Sequence, residues 1–230
     1  MSKLLNIKHV FFDLDHTIWD FDKNSAMAFD AIFIKNRIDI ETSKFLEEYI
    51  PINFQYWKYF REGQITKEQL RYSRLKKSFD NLNIEIDDYL INKLADDYIT
   101  FLPDNNHLFE GTLALLEYLN NHYHLHIITN GFEEVQLKKL KNSKIDHFFK
   151  SVTTSESVGV KKPDPKIFRY ALEIAEATHV ESVMIGDTYE ADILGARGVG
   201  MQTICFNYHK ANLHGDERVV NTLPEILNYL

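Results

Sequence analysis

The sequence predicts an α/β fold: a Rossmann-like parallel sheet with helices on both faces, plus an inserted helical subdomain. Three observations predict it. Short apolar runs recur along the chain, helical patterns alternate with them, and one long stretch, 19–103, breaks that rhythm. Strands that read as near-continuous apolar runs belong to sheets covered on both faces, and strand–helix alternation is the signature of parallel connection.

Taken in order, the first predicted strand is "HVFF" (His9 to Phe12), stopped by Asp13. The segment after it holds no convincing buried strand for about 85 residues, too long for a loop in a compact domain. It holds helical patterns instead. "TKEQLRYSRLKKSF" opens with Thr66 and Gln69 at capping-box spacing. "DDYLINKLADDYITFL" places Leu90, Leu94, Tyr98 and Leu102 on one apolar face, and Pro103 ends it. Between Phe45 and Phe60 stand seven aromatics in sixteen positions, read as packing between helices. The basic run Arg71 to Lys77 reads as a solvated helix face. The rhythm then resumes: a helix from Gly111 to Asn120, the strand "LHIIT" (Leu125 to Thr129), a helix from Glu133 to Asn142, and a weaker strand, "KSVTTS". A helix from Asp164 to Glu176, the strand "SVMIG" (Ser182 to Gly186), a helix from Glu190 to Val199 and the strand "QTICF" (Gln202 to Phe206) follow. The expected division is a core of 1–18 and 104–230 around an insert of 19–103.

Composition excludes several classes. At 230 residues, 44% hydrophobic and 26% charged, the chain is an ordinary globular protein. A net charge of −8 opposes binding to polymeric nucleic acid or anionic membrane, yet leaves room for a small anionic substrate at a locally reversed field. No segment approaches the roughly 18 apolar residues of a membrane span. The single cysteine, Cys205, forbids an intrachain disulfide and reads as a core residue. A cytoplasmic protein is expected.

Asp13 and Asp15 raise the functional question, because a buried carboxylate without partners is costly. In an open parallel sheet, ligands bind beyond the carboxyl ends of the strands. Asp13 follows the first strand, Thr129–Asn130–Gly131 the second, and Asp187 the strand "SVMIG"; Lys162 lies in the loop "GVKKPDP". Asp13, Asp15 and Asp187 are hard oxygen ligands suited to Mg²⁺. Asp13 is a candidate nucleophile. Thr129, Asn130 and Gly131 form a candidate anion cradle at a helix start, and Lys162 would neutralise phosphate oxygens. Asp15 fits a general acid and base, its proton retained through crowding against other carboxylates. The inventory suits phosphoryl transfer.

As a set, "DLDHT", "IITNG", "KKPDPKIF" and "GDTYEADILGA" resemble the four motifs of the haloacid dehalogenase superfamily. The resemblance covers the whole chain and implies a helical cap at the insert. It implies Asp13 as the phosphoryl-accepting nucleophile and Asp15 as the acid/base. Mg²⁺ would bind the Asp13 side chain, the Asp15 backbone carbonyl and Asp187, with Asp192 orienting metal-bound water. The implied phosphate-binding set is Leu14, Asp15, Thr129, Asn130, Gly131 and Lys162; Lys162 is chosen over Lys161 because the family lysine directly precedes proline. Dehalogenase members lack an acid at the position of Asp15, so phosphoester hydrolysis is favoured, with phosphomutase chemistry using the same pair. "FFDLDHTIWDF", "IITNGFEEVQLKKLKNSKIDHFF" and "TICFN" resemble the YjjG-type branch of nucleoside 5′-monophosphatases. A small sugar phosphate or phosphoglycolate is the alternative substrate. A signalling module that retains its phosphate is the rival of another class. His16 reads as a bystander, and the remaining histidines, His209 among them, show no metal-ligand spacing.

Overall fold

The computed structural model describes residues 3–210, 212–213 and 218–230. The chain divides into two compact units, Met1–Phe21 with Asn106–Leu230, and Asp22–Asn105.

The first unit is built on a six-stranded sheet: β1 (His9–Phe12), β2 (His124–Thr129), β3 (Phe149–Thr154), β4 (Ser182–Gly186), β5 (Gln202–Phe206) and β6 (Val219–Val220). Its order is β3-β2-β1-β4-β5-β6 and each strand pair is parallel. The sheet is therefore Rossmann-like, as the alternation predicts. β6 is the strand the sequence does not announce, since two valines make no recognisable run. β1 and β4 are buried at every residue. On one face Phe11, Ile128 and Met184 pack with Ile167, Phe168, Ala171 and Leu172 of α8 (Pro165–Ile174), a helix-spaced stripe. Cys205 is buried in β5, as expected. Two further helices flank β2 in sequence: α5 (Thr112–Asn120) ahead of it and α6 (Glu133–Asn142) after it. A single turn, α7 (Ser155–Val158), follows β3.

The expected helix from Glu190 to Val199 takes a different form. It begins as a π-helical segment, Tyr189–Leu194, and only Gly195–Arg197 (α9) is α-helical. The wider winding carries Asp192 back beneath Gly186, where any Cβ would overlap the Asp192 carboxyl group.

Near the amino end of the sheet, His9 of β1 and His126 of β2 share a hydrogen bond of 3.2 Å, and His126 contacts the Ser151 hydroxyl at 2.8 Å.

The second unit is helical: most of α1 (Phe21–Asn36), then α2 (Thr42–Arg61), α3 (Lys67–Asn81) and α4 (Asp88–Phe101). Thr66 and Gln69 form the expected capping box at the start of α3, and Asp87 caps α4 through the Leu90 amide at 2.8 Å. The apolar face of α4 runs through Ile91, Leu94, Ala95 and Tyr98, with Leu90 at its margin. Phe29, Phe45, Tyr49 and Tyr98 interlock around it, three of the ring pairs at 4.6–4.8 Å. The aromatic run of α2 divides accordingly: Phe45, Tyr49 and Phe60 are buried, whereas Phe54 is 55% exposed. The basic run is not wholly solvated. Arg74 is buried, donates to Asn53 at 2.8 Å and lies over the Tyr98 ring at 5.1 Å. Helical spacing puts it on the inward face between Leu70 and Phe79, where two tyrosine rings accept its charge.

Candidate active site

The site gathers at the carboxyl edge of the central strands, where parallel topology leaves a crevice. Asp13 leaves β1, Thr129 closes β2, and Asp187 leaves β4 one residue after Gly186. Asp13, Asp187, Asp192 and Lys162 are all buried there.

Lys162 is the hub. Its ammonium donates to Asp13 Oδ1 at 2.5 Å and to the Ile128 carbonyl at 2.7 Å, and pairs with Asp192 Oδ1 at 2.7 Å. Carboxylate oxygens of Asp13, Asp187 and Asp192 lie within 4.8 Å of one another. Burial pushes the Asp13 carboxyl well above the usual range; Lys162 opposes this, while Asp192 and Asp187 add to it. Asp192 is raised by burial and by Asp187 against the pull of Lys162. Lys162 itself is raised, because its two carboxylate partners outweigh its burial. Asp187 goes the other way. Burial would raise it, but the His209 hydrogen bond and the charges of His16, His209 and Lys162 hold it below the ordinary carboxylate value.

Asp187 Oδ1 accepts from the Thr17 hydroxyl at 3.1 Å, and Oδ2 contacts His209 Nε2 at 2.9 Å. Asp192 Oδ2 accepts from the Thr188 amide at 3.0 Å, which folds the π-helical turn back onto the site.

Asp15 stands apart from the crowding expected of it. Its carboxylate pairs with the Lys139 ammonium at 2.6 Å and accepts from the Gln136 amide at 3.0 Å, both from α6. The Lys139 ammonium also sits 4.2 Å from the Trp19 ring centre, which compensates a cation buried on a helix. Gln136 further donates to Thr129 Oγ1 at 2.7 Å. The anion cradle also differs from expectation. Both ends of the Asn130 side-chain amide bind the Lys162 backbone, Oδ1 accepting from its N–H at 2.8 Å and Nδ2 donating to its carbonyl at 3.0 Å. The Gly131 amide donates to Thr129 Oγ1 at 3.1 Å. Asn130 thus fixes the lysine loop, and Thr129 keeps its own hydroxyl hydrogen to donate. Leu14 is fully buried, its carbonyl accepting from the Trp19 amide at 2.9 Å.

Thr17, Gln136, Lys139 and His209 were not expected here. Gln136 and Lys139 occupy one face of α6 at i, i+3 spacing, but a lysine in a charged helix reads as solvated. His209 lies just past β5, so the rule that points to Asp13 and Asp187 also points to it.

A family model described as haloacid dehalogenase-like hydrolase matches residues 10–206. The chain belongs to this family. Pyrimidine 5′-nucleotidase YjjG of Escherichia coli is 33% identical over 204 residues, 87% of this chain and 86% of the relative. A glyceraldehyde 3-phosphate phosphatase of Pyrococcus furiosus is 32% identical over 235 residues, 97% of this chain and 93% of the relative. Among solved structures, magnesium-bound YfnB from Bacillus subtilis superimposes with a TM-score of 0.86 at 28% identity, covering 97% of this chain and 98% of that one. The haloacid dehalogenase-like fold thus carries the parallel sheet and the crevice together. Among the described residues no helix is long and apolar enough to cross a membrane.

Proposed function

We propose that this chain is a Mg²⁺-dependent phosphomonoester hydrolase that works through an aspartyl-phosphate on Asp13, with nucleoside 5′-monophosphates as substrates. The observation that carries the reading is Asp13 held at 2.5 Å from a buried lysine, beside two further buried carboxylates, at the mouth of β1. Three buried acids face one ammonium; burial first, and then the neighbouring carboxylates, raise Asp13 and Asp192. A divalent cation fits that cluster and its all-oxygen donor set. Asp13, the Asp15 backbone carbonyl and Asp187 would hold it, with Asp192 alongside. When bound, the ion offsets charge on these carboxylates and on a phosphate group.

The Asp13 carboxylate attacks phosphorus, forming the acyl phosphate as the bond to the ester oxygen breaks. Asp15 gives that oxygen its proton. Its present partners, Lys139 and Gln136, mean that a side-chain rotation must carry it to the leaving group. A water then attacks phosphorus, Asp15 takes the water's proton, and the Asp13–phosphate bond breaks to release inorganic phosphate. Lys162 keeps Asp13 in place and meets the phosphate oxygens. The Thr129 hydroxyl donates to one of them. The helical unit is proposed as the family's cap, with substrate choice residing in it.

The nucleotide assignment is supported by the pyrimidine 5′-nucleotidase relative. A small sugar phosphate is the second reading, supported by the glyceraldehyde 3-phosphate phosphatase relative, whose alignment spans nearly the whole chain. The test is phosphate release with Mg²⁺ across nucleoside monophosphates, glyceraldehyde 3-phosphate, other sugar phosphates and phosphoglycolate, with Asp13→Asn as the blank. Preference for pyrimidine nucleoside monophosphates is the expected result. Preference for sugar phosphates would replace the substrate and keep the chemistry. No release from any substrate, with stable phosphate on Asp13 after exposure to acetyl phosphate, would overturn the hydrolase reading.

A further inference from the structure

We infer that His16, Asp187 and His209 form a binding site for a borderline transition-metal ion such as Zn²⁺ or Co²⁺, a site that shares Asp187 with the carboxylate cluster. One ligand atom from each residue lies within 4.8 Å of the other two. Asp187 Oδ2 and His209 Nε2 are 2.9 Å apart. Two ligands of one such ion, each at about 2.1 Å in tetrahedral geometry, stand about 3.4 Å apart. An ion would take the place of the proton in that hydrogen bond once the two groups move slightly apart.

The two imidazoles are held in place by their neighbours. His16 sits in the left-handed backbone region at φ 59°, a conformation that histidine adopts more readily than most residues. Its ring stacks on Tyr208 with centres 4.9 Å apart and a tilt of 23°, and meets Phe21 at 4.9 Å. Tyr208 in turn packs edge-on against His209 at 5.1 Å. Little side-chain freedom remains to be lost on binding. Asp187 lies at the buried end of the set, His16 is half-buried and His209 is exposed, so an ion can enter from solvent.

The donor chemistry separates this site from its neighbour. Asp13, Asp187 and Asp192 offer only carboxylate oxygen, the preference of Mg²⁺. Two imidazoles and one carboxylate favour Zn²⁺, Co²⁺ or Ni²⁺. Because Asp187 belongs to both sets, an ion on the histidines draws that carboxylate away from Mg²⁺. This consequence rests on the Mg²⁺ reading above; the binding itself does not. The site would make the enzyme sensitive to transition metals in a way that excess Mg²⁺ relieves.

The test is Zn²⁺ titration of the whole, metal-stripped protein, followed through the imidazole ¹⁵N resonances of histidine. The wild type is expected to shift the nitrogens of His16 and His209 together with one equivalent of Zn²⁺. Affinity should fall at least about tenfold in His209→Ala, since even the loss of an outer partner costs that much. It should fall similarly in His16→Asn, where asparagine tolerates the left-handed backbone. Asp13→Asn should keep the site. Unchanged Zn²⁺ affinity in His209→Ala, an exposed position that does not threaten folding, would overturn the proposal. So would Zn²⁺ shifts that bypass both histidines. In a second arm, Mg²⁺ is expected to weaken Zn²⁺ binding to the wild type. Zn²⁺ affinity indifferent to Mg²⁺ would overturn the competition, and with it the Mg²⁺ role of Asp187, while leaving the histidine site standing.

Discussion

At the scale of single residues, the site is a problem in buried charge. Lys162 touches Asp13 and Asp192 and stands within the field of Asp187. Removing it strands those carboxylates. Lys162→Met should therefore lower metal-free stability by about 3–5 kcal/mol, the usual cost of breaking a buried ion pair. Urea unfolding in chelator measures it, and turnover should vanish in the same variant. Metal removal should show a dependence on pH with two signs. Asp13 and Asp192 are raised in the folded protein, so their contribution to stability is present at acid pH and is lost as pH climbs through their raised values. Asp187 is lowered, so its contribution is present above the ordinary carboxylate value and is lost as pH falls. A divalent cation needs Asp13 ionised. The increase in Tm on adding Mg²⁺ should therefore grow as pH rises above the ordinary carboxylate range. An increment that is flat or that shrinks over that rise, measured by thermal unfolding with Mg²⁺ and with chelator, would contradict the charge balance described for the cluster.

At the scale of elements, α6 and β2 do more than cover and pair. α6 delivers Gln136 and Lys139 onto Asp15 from one face, so the acid/base candidate is oriented by a helix rather than by the strand that carries it. β2 buries His126, which burial, then His9 and His124, push down to about 4. Folding thus favours the neutral ring. Its contribution to stability is whole above the unfolded value of 6.5 and is lost as pH falls from there through about 4. His126→Gln keeps a neutral polar group facing Ser151. It should lose less stability than the wild type between those two pH values, as urea midpoints at matched pH would show.

At the scale of the whole molecule, the chain holds two compact units, and in sequence Asp22–Asn105 interrupts the one assembled from Met1–Phe21 and Asn106–Leu230. Each unit has its own interior. In the helical one Phe45 is fully buried against Phe29, Phe33, Tyr49 and Phe79. Phe45→Ala should cost about 3–5 kcal/mol by leaving a cavity among rings that cannot close over it. Mg²⁺ affinity should change little in that variant, because every proposed ligand belongs to the other unit. Calorimetric titration with Mg²⁺ beside chemical unfolding would test both halves of the expectation.

The sequence by itself determined the sheet, the inserted helices, the motif residues Asp13, Thr129 and Asp187 at strand ends, and Lys162 in its loop. These are carried by local signals: apolar runs, capping residues, and polar groups where a buried strand must stop. It could not determine what those residues face. Asp15 turned to Lys139 rather than to its fellow acids, and Asn130 gave its amide to the lysine loop, because both partners arrive from elements that only folding brings near. Asp192 reached Lys162 through a π-helical turn that the helical pattern does not encode. His16 and His209, 193 positions apart in the chain, became neighbours of Asp187 for the same reason. Burial and long-range charge, not spacing, decide such contacts, and both are properties of the folded chain.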